Sequence, residues 1–287
     1  MHAIIIAHRN RNADLEHCVR SIQHSADLCG VREWRIVLVD NGSAVPPKAT
    51  DFHLFTENLT IIPDTTGMTI FNKPALQNRG IEESQDADVL TFLDGDSLVG
   101  LRWMDNVQRL IDDSALTKLC YRVRYIDRSA DLTNPPFFDY DKAIRVADKM
   151  RDIYSLAREG YGRPEHFKEC PGPIFGNSQF SIRREVLGDT RFNEQYVGRG
   201  FEDLWMNREL WMRNPEAYRA EIVTDATHAM FHIKGANDGG PDWFNAGLNA
   251  FNARQYRGSW RGMQKLLPLP GEKQRGQRRR ERQLPRP

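Results

Sequence analysis

Short apolar runs alternate with amphipathic segments along the first hundred residues of the chain. The runs are rich in Ile, Val, Leu and Phe and end in turn-forming residues, which is typical of strands buried on both faces of a sheet. The segments between them carry apolar residues at helical spacing. Strands that alternate with helices predict an α/β fold with a doubly wound, mostly parallel sheet. The predicted strands are residues 3–7, 34–39, 59–62 and 89–93, and the predicted helices are residues 12–25 and 75–84.

The later part of the chain is less regular. A helix is predicted over residues 103–111 and a strand over residues 118–126. Prolines near both ends of residues 127–172 mark an insertion of the kind that often carries substrate contacts. The remaining predicted elements are residues 140–158, inside the insertion, and residues 180–187, 202–212 and 246–257.

Length and charge limit how the chain can be organised. Its 287 residues suffice for one large α/β domain, which we expect at residues 1–262, followed by a basic tail at residues 263–287. From Gly271 onward seven basic residues face two acidic ones, a net of +5, which leaves about −4 for the rest because the whole chain carries +1. A body of that sign argues against nucleic-acid binding. We expect the tail to be disordered, with peripheral contact to an anionic membrane as the alternative.

The cysteines and the N-terminal segment bear on the compartment. Four cysteines without a Cys-x-x-Cys spacing predict free thiols and argue against a zinc cluster or a disulfide framework. No run of 18 apolar residues occurs, and residues 2–7 are too few for the apolar core of a signal peptide. Together these features predict a cytoplasmic protein in a reducing environment.

Polar side chains follow three of the predicted strands. Asp94-Gly95-Asp96 come directly after the apolar run 89–93, where two carboxylates and a turn-forming glycine can hold a divalent cation and a ribose hydroxyl. The same acid-x-acid spacing recurs at residues 86–88 and 139–141, so the preceding strand is what distinguishes this pair. Because ligands of doubly wound sheets bind beyond the carboxyl ends of the strands, we predict a ligand site there. The other two strand ends carry His8-Arg9-Asn10 and Asp40-Asn41.

A series of ordered pieces resembles the nucleotide-sugar glycosyltransferases of the GT-A fold, most closely the inverting members of family 2. The resemblance covers most of residues 1–262 and implies a nucleotide-binding half (residues 1–100) and a donor-sugar and acceptor half (residues 101–262). Each piece is weak alone, and their order and spacing carry the resemblance. The pieces are IIIAHRNR (4–11), VLVDNGS (37–43), FNKPALQNRGI (71–81), DGD (94–96), GNSQFSIRRE (176–185), FNEQYVGRGFED (192–203), FH (231–232) and NARQYRGSW (252–260).

The piece at residues 192–203 also resembles the C-terminal halves of β4-galactosyltransferases and of polypeptide N-acetylgalactosaminyltransferases. The chain departs from the family patterns at two places. Ala7-His8 stand where family 2 members usually have a proline after the first strand, and Arg199 stands between two glycines where galactosyltransferase-like sequences have Trp. The second departure leaves the acceptor and the donor sugar open.

The resemblance implies a divalent cation, Mn²⁺ or Mg²⁺, that neutralises the leaving diphosphate as a Lewis acid. Asp96 is then a direct ligand, Asp94 contacts the ribose or a metal-bound water, and His232 is the third protein ligand. His228, four residues earlier, is the alternative to His232. An imidazole beside carboxylates suits Mn²⁺ better than Mg²⁺.

The resemblance also implies catalytic and nucleotide-binding roles. Asp203 is the expected general base for the acceptor hydroxyl, and Glu202 positions the acceptor. Asp40 accepts a hydrogen bond from the uracil imide or the ribose, or else forms an Asx turn before Gly42. Arg79 approaches the diphosphate, or else lies on a solvated helix face. Further nucleotide- or donor-binding positions are Ala7, Arg9, Asn41, Asp94, Gly95, Gly176 and Asn177.

The implied activity is an inverting, metal-dependent transfer from a nucleotide sugar to an acceptor hydroxyl by direct displacement. The expected donor is a UDP-hexose or UDP-N-acetylhexosamine, and the acceptor is a glycan, a lipid or a protein. A sugar-binding protein without turnover on the same scaffold is the alternative, but it has little need to keep Asp94, Asp96, Asp203 and His232 together. A dinucleotide-dependent oxidoreductase is disfavoured because the Gly-x-Gly at residues 198–200 has Asp203 where the third glycine of the motif should stand.

Overall fold

The computed structural model describes residues 1–52, 58–63, 70–121, 123–127, 179–198, 202–213, 219–223, 227–228 and 230–234. The helices are α1 (Asn12–Cys29), α2 (Lys73–Glu82), α3 (Trp103–Asp112), α4 (Arg184–Leu187) and α5 (Glu202–Arg213), with a 3₁₀ turn at Ala49–Asp51. The strands are β1 (His2–His8), β2 (Trp34–Asp40), β3 (Leu59–Pro63), β4 (Val89–Asp94), β5 (Ser97–Val99), β6 (Lys118–Tyr121), β7 (Val123–Asp127), β8 (Phe180–Arg183), β9 (Ala220–Val223) and β10 (Met230–Lys234). The predicted helices at residues 140–158 and 246–257 and the basic tail lie outside the described residues.

Seven strands form one large mixed sheet in the order β3-β2-β1-β4-β8-β6-β9. β1 runs parallel to β2 and β4, and β2 runs parallel to β3. β8 is antiparallel to both of its neighbours, β4 and β6, whereas β9 is parallel to β6. The predicted α/β class is therefore confirmed, and the alternating pattern of the first hundred residues corresponds to the parallel half of the sheet.

The second, smaller sheet has the order β5-β10-β7 and differs from the prediction. One strand was expected over residues 118–126, but β6 belongs to the large sheet and β7 to the small one. The apolar pattern carries no information about which partner each part of a run pairs with, so it cannot reveal a change of sheet. In the small sheet β10 pairs antiparallel with β5 and parallel with β7, and this brings β10 beside the turn after β4.

Side chains of the large sheet alternate between two buried faces. On β1, Ile4 and Ile6 pack in a cluster that includes apolar residues of α1 and α3, whereas Ala3 and Ile5 pack in a cluster that includes residues of α2 and α5. This alternation follows from the two-residue period of a strand. Helices therefore cover the sheet on both faces, as the doubly wound prediction requires.

Helix α2 lies unusually close to β1. A Cβ atom at Gly80 would lie 2.3 Å from Cγ2 of Ile5, so only glycine permits this approach. At the other end of the helix the Asn72 side chain accepts a hydrogen bond of 3.2 Å from the backbone N–H of Ala75 and caps the N-terminus. The close packing and the cap together fix the position of Lys73, the first residue of α2.

None of the helices in the described ranges has the length and apolar character needed to cross a membrane. Cys18, Cys29 and Cys120 are free thiols, which confirms the prediction for these three residues. Cys170 lies outside the described part of the chain.

Candidate active site

The polar segments after β1, β2 and β4 meet at one edge of the large sheet. In the register of the parallel strands, Ala7 is opposite Asp94 of β4, and His8 is opposite Asp40 of β2. The turn at Gly95 packs directly on β1 and α1, because a Cβ atom there would lie 3.4–3.6 Å from Ile6, Leu15 and His8. The structure thus brings together the three strand ends at which the sequence predicts a ligand site.

Hydrogen bonds join the loop after β1 to the loop after β2. The backbone N–H of Asn10 donates to Oγ of Ser43 at 2.8 Å, and the backbone N–H of Ala44 donates to Oδ1 of Asn10 at 2.7 Å. Asn10 has a φ of 58°, in the left-handed region that asparagine tolerates better than most residues. Asp40 accepts hydrogen bonds from both the backbone N–H and the hydroxyl of Ser43. In this structure Asp40 therefore forms the turn that was the alternative to a nucleotide contact, and Asn41 is buried beside it.

His8 and Arg9 stand at the end of β1. His8 is buried, and its Nε2 lies 2.9 Å from Oδ1 of Asn12. Burial lowers the pKa of the His8 imidazole, and the contact with Asn12 and the nearby Asp40 carboxylate oppose this only in part. His8 is therefore a neutral ring at physiological pH. Arg9 is half-buried at the same edge.

Each carboxylate of the turn after β4 is paired with a basic side chain. Lys73 Nζ donates to Oδ1 of Asp94, and Nε2 of Gln179 donates to Oδ2 of the same carboxylate at 3.2 Å. Arg11 Nη1 donates to Oδ2 of Asp96. Both pairs are largely shielded from solvent, since the Asp96 side chain is 8% exposed and that of Lys73 is 11% exposed.

His232 reaches the same turn from the small sheet. Its backbone pairs with Ser97 of β5, and its Nδ1 atom lies 3.2 Å from Oδ1 of Asp96. His228 lies elsewhere: its Nε2 atom is 3.9 Å from Oδ2 of Asp105 on α3, and Thr227 is its hydrogen-bonding neighbour. Of the two histidines that the sequence offered, the structure brings His232 to Asp96.

The chemistry of this cluster fits a divalent cation, but its present arrangement does not. Two carboxylates and an imidazole are ligands that Mn²⁺ accepts. Nevertheless, within the described ranges no group of three or more His, Cys, Asp or Glu side chains is disposed to hold a metal ion. In this structure Asp94 and Asp96 instead carry ion pairs with Lys73 and Arg11.

Lys73 also faces the carboxylates at the start of α5. Burial alone would lower the pKa of its ammonium group, but Asp94, Glu202 and Asp203 together raise the pKa above its ordinary value. Lys73 therefore stays charged between two acidic regions, one at the end of β4 and one at the N-terminus of α5. Both predicted catalytic carboxylates thus lie near the strand-end carboxylates, with one lysine between the two sets.

Glu202 is the more buried member of the α5 pair. Its Oε2 atom has no hydrogen-bond partner among the described residues, and the residue is 6% exposed. Burial and the neighbouring Asp203 carboxylate raise the pKa of Glu202 to about 7, against the opposing effect of Lys73. A carboxyl group with such a pKa can carry a proton near neutral pH.

The segment that leads into α5 is held by α2. Nδ2 of Asn78 donates to the carbonyl of Phe192 at 2.9 Å, and the N–H of Phe192 donates back to Oδ1 of Asn78 at 2.8 Å. Nδ2 of Asn72 donates to the carbonyl of Glu194 at 3.1 Å. The helix that carries Lys73 therefore also positions the segment before Glu202 and Asp203.

The structure does not bring Arg79 to this cluster. Its guanidinium lies 3.3 Å from a carboxylate oxygen of Glu82 and 2.6 Å from one of Glu83, and the side chain is 53% exposed. These contacts match the solvated helix position that was the alternative to a diphosphate contact. Gly176 and Asn177 lie outside the described residues.

Sequence reasoning missed Arg11, Lys73 and Gln179 as members of the site. All three lie within the pieces that carry the family resemblance, at residues 4–11, 71–81 and 176–185. Gln179 gave a signal, since it is a polar residue directly before the apolar strand β8, but Lys73 and Arg11 stand at helix starts, where a solvated basic side chain is the ordinary expectation. Only the tertiary structure shows that each one ends at a carboxylate of the Asp94-Gly95-Asp96 turn.

Comparison with known proteins bears on this arrangement. A sequence model of glycosyl transferase family 2 matches residues 3–190, about two thirds of the chain. A comparison with curated proteins finds no match. The family match includes the Asp94-Gly95-Asp96 turn, but it ends before Glu202 and Asp203. The resemblance of residues 192–203 to β4-galactosyltransferases and polypeptide N-acetylgalactosaminyltransferases therefore stays a prediction.

Solved structures with a similar fold include two of S. aureus TarS and one mannosyltransferase. The TarS 1–349 structure has a TM-score of 0.53 at 14% identity and covers 81% of this chain and 60% of its own. A second TarS structure has the same TM-score and identity, and the match covers 36% of its length. Mannosyltransferase PcManGT from Pyrobaculum calidifontis, in complex with GDP-Man and Mn²⁺, has a TM-score of 0.51 at 17% identity, with 83% of this chain and 58% of that chain covered.

These likenesses confirm the predicted GT-A fold. The identities are too low for them to show more than the fold, and the chain spans three fifths or less of the length of these proteins. What the residues at the strand ends and at α5 do is therefore argued from their own geometry.

Proposed function

Since this chain belongs to glycosyl transferase family 2, we propose that it transfers a sugar from a nucleotide-sugar donor to an acceptor hydroxyl. The observation that supports this most is the convergence of Asp94, Asp96, His232 and the Glu202–Asp203 pair around Lys73 and Arg11. Such a cluster combines groups for a diphosphate leaving group with a carboxylate pair for proton transfer. This is what transfer from a nucleotide sugar requires.

The nucleotide lies at the carboxyl edge of β1, β2 and β4 in this proposal. Ala7, Arg9, Asp40, Asn41 and Gly95 line that edge, and a uridine nucleotide is the proposed ligand. Asp40 would form a new contact with the base or ribose while it keeps its turn, since each carboxylate oxygen can accept more than one hydrogen bond. Gly176 and Asn177 are proposed to contact the donor sugar.

Asp96 and His232, with Asp94 beside them, are the residues that would hold a divalent cation, Mn²⁺ or Mg²⁺. When bound, such an ion acts as a Lewis acid on the diphosphate oxygens and stabilises the leaving group. The 3.2 Å contact between His232 and Asp96 supports the choice of His232 over His228. The carboxylate and imidazole donor set favours Mn²⁺.

Asp203 is the proposed general base, and Glu202 positions the acceptor. Asp203 takes the proton from the acceptor hydroxyl as the hydroxyl oxygen bonds to the anomeric carbon and the bond from that carbon to the diphosphate breaks. A single displacement of this kind inverts the configuration and gives a β-linked product from an α-linked donor. We propose a hexose or N-acetylhexosamine donor and a glycan, lipid or protein acceptor, with the basic tail as a peripheral membrane contact.

Calorimetric titration tests the donor side of this proposal. UDP is titrated into the protein with Mn²⁺ and then with EDTA, and GDP is titrated in parallel because the mannosyltransferase of similar fold is in complex with GDP-Man. We expect UDP to bind in the presence of Mn²⁺ and to bind much more weakly in EDTA. Binding would justify a screen of UDP-sugars for release of UDP. If neither nucleotide binds under either condition, the proposed nucleotide site is wrong.

A further inference from the structure

The side chains of Lys73 and Arg11 contact Asp94 and Asp96, the two carboxylates that are proposed to bind a divalent cation. We propose that these two side chains compete with a divalent cation for Asp94 and Asp96, so that the cation binds tightly only together with a nucleoside diphosphate. This inference rests on the proposed function and adds a coupling between its two ligands. Lys73 and Arg11 would act as internal counter-cations before the ligands arrive.

All four oxygens of the two carboxylates have a neighbour in this structure. Lys73 and Gln179 occupy Oδ1 and Oδ2 of Asp94, and Arg11 occupies Oδ2 of Asp96. Nδ1 of His232 lies 3.2 Å from the remaining oxygen, Oδ1 of Asp96. Each carboxylate is therefore neutralised by one basic side chain. A divalent cation that binds the turn must share or replace these contacts.

The backbone of both basic residues is held beside the turn. Lys73 is the first residue of α2, whose position is fixed by the close contact of Gly80 with Ile5. Arg11 directly precedes α1, and its carbonyl accepts a hydrogen bond of 2.9 Å from the N–H of Leu15 in the first turn. A metal ion on Asp94 and Asp96 would consequently lie within a few ångströms of two positive charges, and this repulsion weakens its binding.

The repulsion between a divalent cation on the turn and these two basic side chains has to be relieved by an incoming anion.

A diphosphate supplies that anion. Its oxygens can accept hydrogen bonds from Lys73 and Arg11 as these leave the carboxylates, and the basic side chains then stabilise the ligand. Helices α1 and α2 begin at the same edge of the sheet, and the dipoles of their N-termini favour negative charge there. Each ligand thus improves the site for the other, and by thermodynamic linkage the gain is equal in both directions.

Titration of Mn²⁺ alone and Mn²⁺ with UDP tests the coupling directly. Free Mn²⁺ is followed by electron paramagnetic resonance in wild type, Lys73→Met and Arg11→Met. Arg20→Met is the matched control, because Arg20 forms an arginine–carboxylate pair with Glu16 on α1, at 2.6 Å and away from the turn. We expect UDP to tighten Mn²⁺ binding to wild type and to Arg20→Met by about tenfold or more.

The charge variants should behave differently from the wild type. Without UDP, Lys73→Met and Arg11→Met are expected to bind Mn²⁺ about tenfold more tightly than wild type, and UDP should improve their Mn²⁺ binding less. Lys73→Arg and Arg11→Lys keep the positive charge and should retain weak binding of Mn²⁺ alone. These two variants also show whether a change comes from lost charge or from lost structure, and circular dichroism checks the fold of each protein.

Two results would overturn the inference. One is equal Mn²⁺ affinity of the wild type with and without UDP, and the other is Mn²⁺ binding by both methionine variants no tighter than by wild type. UDP binding that does not depend on Mn²⁺ would refute the coupling but leave the donor site in place. Absence of UDP binding to every protein would refute the proposed function as well, so the two failures are distinguishable.

Discussion

The carboxylates at the end of β4 and those at the start of α5 both interact with Lys73, yet their surroundings differ. Asp94 and Asp96 each pair with a basic side chain. Glu202 and Asp203 are neighbours on one helix, and the buried Oε2 of Glu202 has no hydrogen-bond partner among the described residues. The first pair is balanced by basic side chains in direct contact, whereas in the second pair burial and the neighbouring carboxylate raise the pKa of Glu202.

This difference corresponds to two kinds of chemistry. Carboxylates that already contact basic side chains suit the exchange of one cation for another, as metal binding requires. A carboxyl group whose pKa lies near neutrality suits steps in which a proton moves. When Glu202 holds its proton, Asp203, the proposed general base, has one negative neighbour fewer. The comparison predicts that substitutions in the two regions affect different steps.

Substitution of Asp203 and of Asp96 should give the largest difference between the two acidic regions. Asp203→Asn removes the proposed base, so sugar transfer should fall by about 10²–10⁴-fold, while the affinity for UDP with Mn²⁺ should change by less than about threefold. Asp96→Asn removes the proposed metal ligand, so metal-dependent UDP binding itself should be lost. Product formation by chromatography and UDP binding by calorimetry measure the two effects.

The hypothesis that the two regions serve different steps would be wrong if Asp203→Asn lost as much UDP affinity as Asp96→Asn. Thermal unfolding of both variants serves as the control. Asp96→Asn leaves Arg11 with a neutral partner, and a buried charge without its partner is costly. A loss of binding is therefore assigned to the site only in a variant that remains folded at the temperature of the titration.

The proposed donor region is the carboxyl edge of β1, β2 and β4 with the Asp94-Gly95-Asp96 turn. Its position was more predictable from the sequence than the ion pairs within it. Apolar strands that end in polar turns identified Asp40 and the Asp94-Gly95-Asp96 turn, because a strand delivers the residues after it to a sheet edge. His232 was chosen by resemblance, and its contact with Asp96 depends on β10 joining β5, a strand of three residues that no periodicity reveals. Short strands and strand partners depend on tertiary contacts, and a single sequence does not encode these in a local pattern.

Lys73 shows most clearly what the sequence pattern does not contain. It lies beside Pro74 at the start of a helix, where a lysine on a solvated surface is the ordinary expectation. Its burial follows from Gly80, which lets α2 approach β1, and from Asn78, which ties α2 to Phe192 from a distant part of the chain. The acidic pair at α5 was identified by resemblance, but the raised pKa of Glu202 depends on this packing and was not predictable.

Glu202→Gln tests the proton-holding character of the α5 pair. The folded protein keeps the Glu202 proton up to about pH 7, whereas the unfolded chain releases it near pH 4.5. The folded state therefore binds more protons across this window, and the free energy of unfolding of wild type should fall as pH rises through it. Glutamine does not titrate, so the variant should gain about 1–3 kcal/mol relative to wild type between about pH 4 and pH 8.

Urea unfolding of both proteins at several pH values measures this gain. Any constant cost of the substitution, such as a lost hydrogen bond, shifts the two curves equally at every pH and does not affect the comparison. A difference in stability that stays constant from acid to alkaline pH would mean that Glu202 titrates as it does in the unfolded chain. In that case the two acidic regions would not differ in the way described above.

Arg79→Ala is expected to have the smallest effect, and it defines where the donor region ends. Arg79 lies on α2, as Lys73 does, but its guanidinium pairs with Glu82 and Glu83 at the exposed surface. Exposed pairs of this kind contribute about 0.5 kcal/mol or less, and the affinity for UDP with Mn²⁺ should change by less than about twofold. A loss of UDP affinity as large as that of Asp96→Asn would instead mean that the guanidinium leaves the two glutamates for the diphosphate when the nucleotide binds. The donor region would then extend along α2 from its buried first residue to its exposed face.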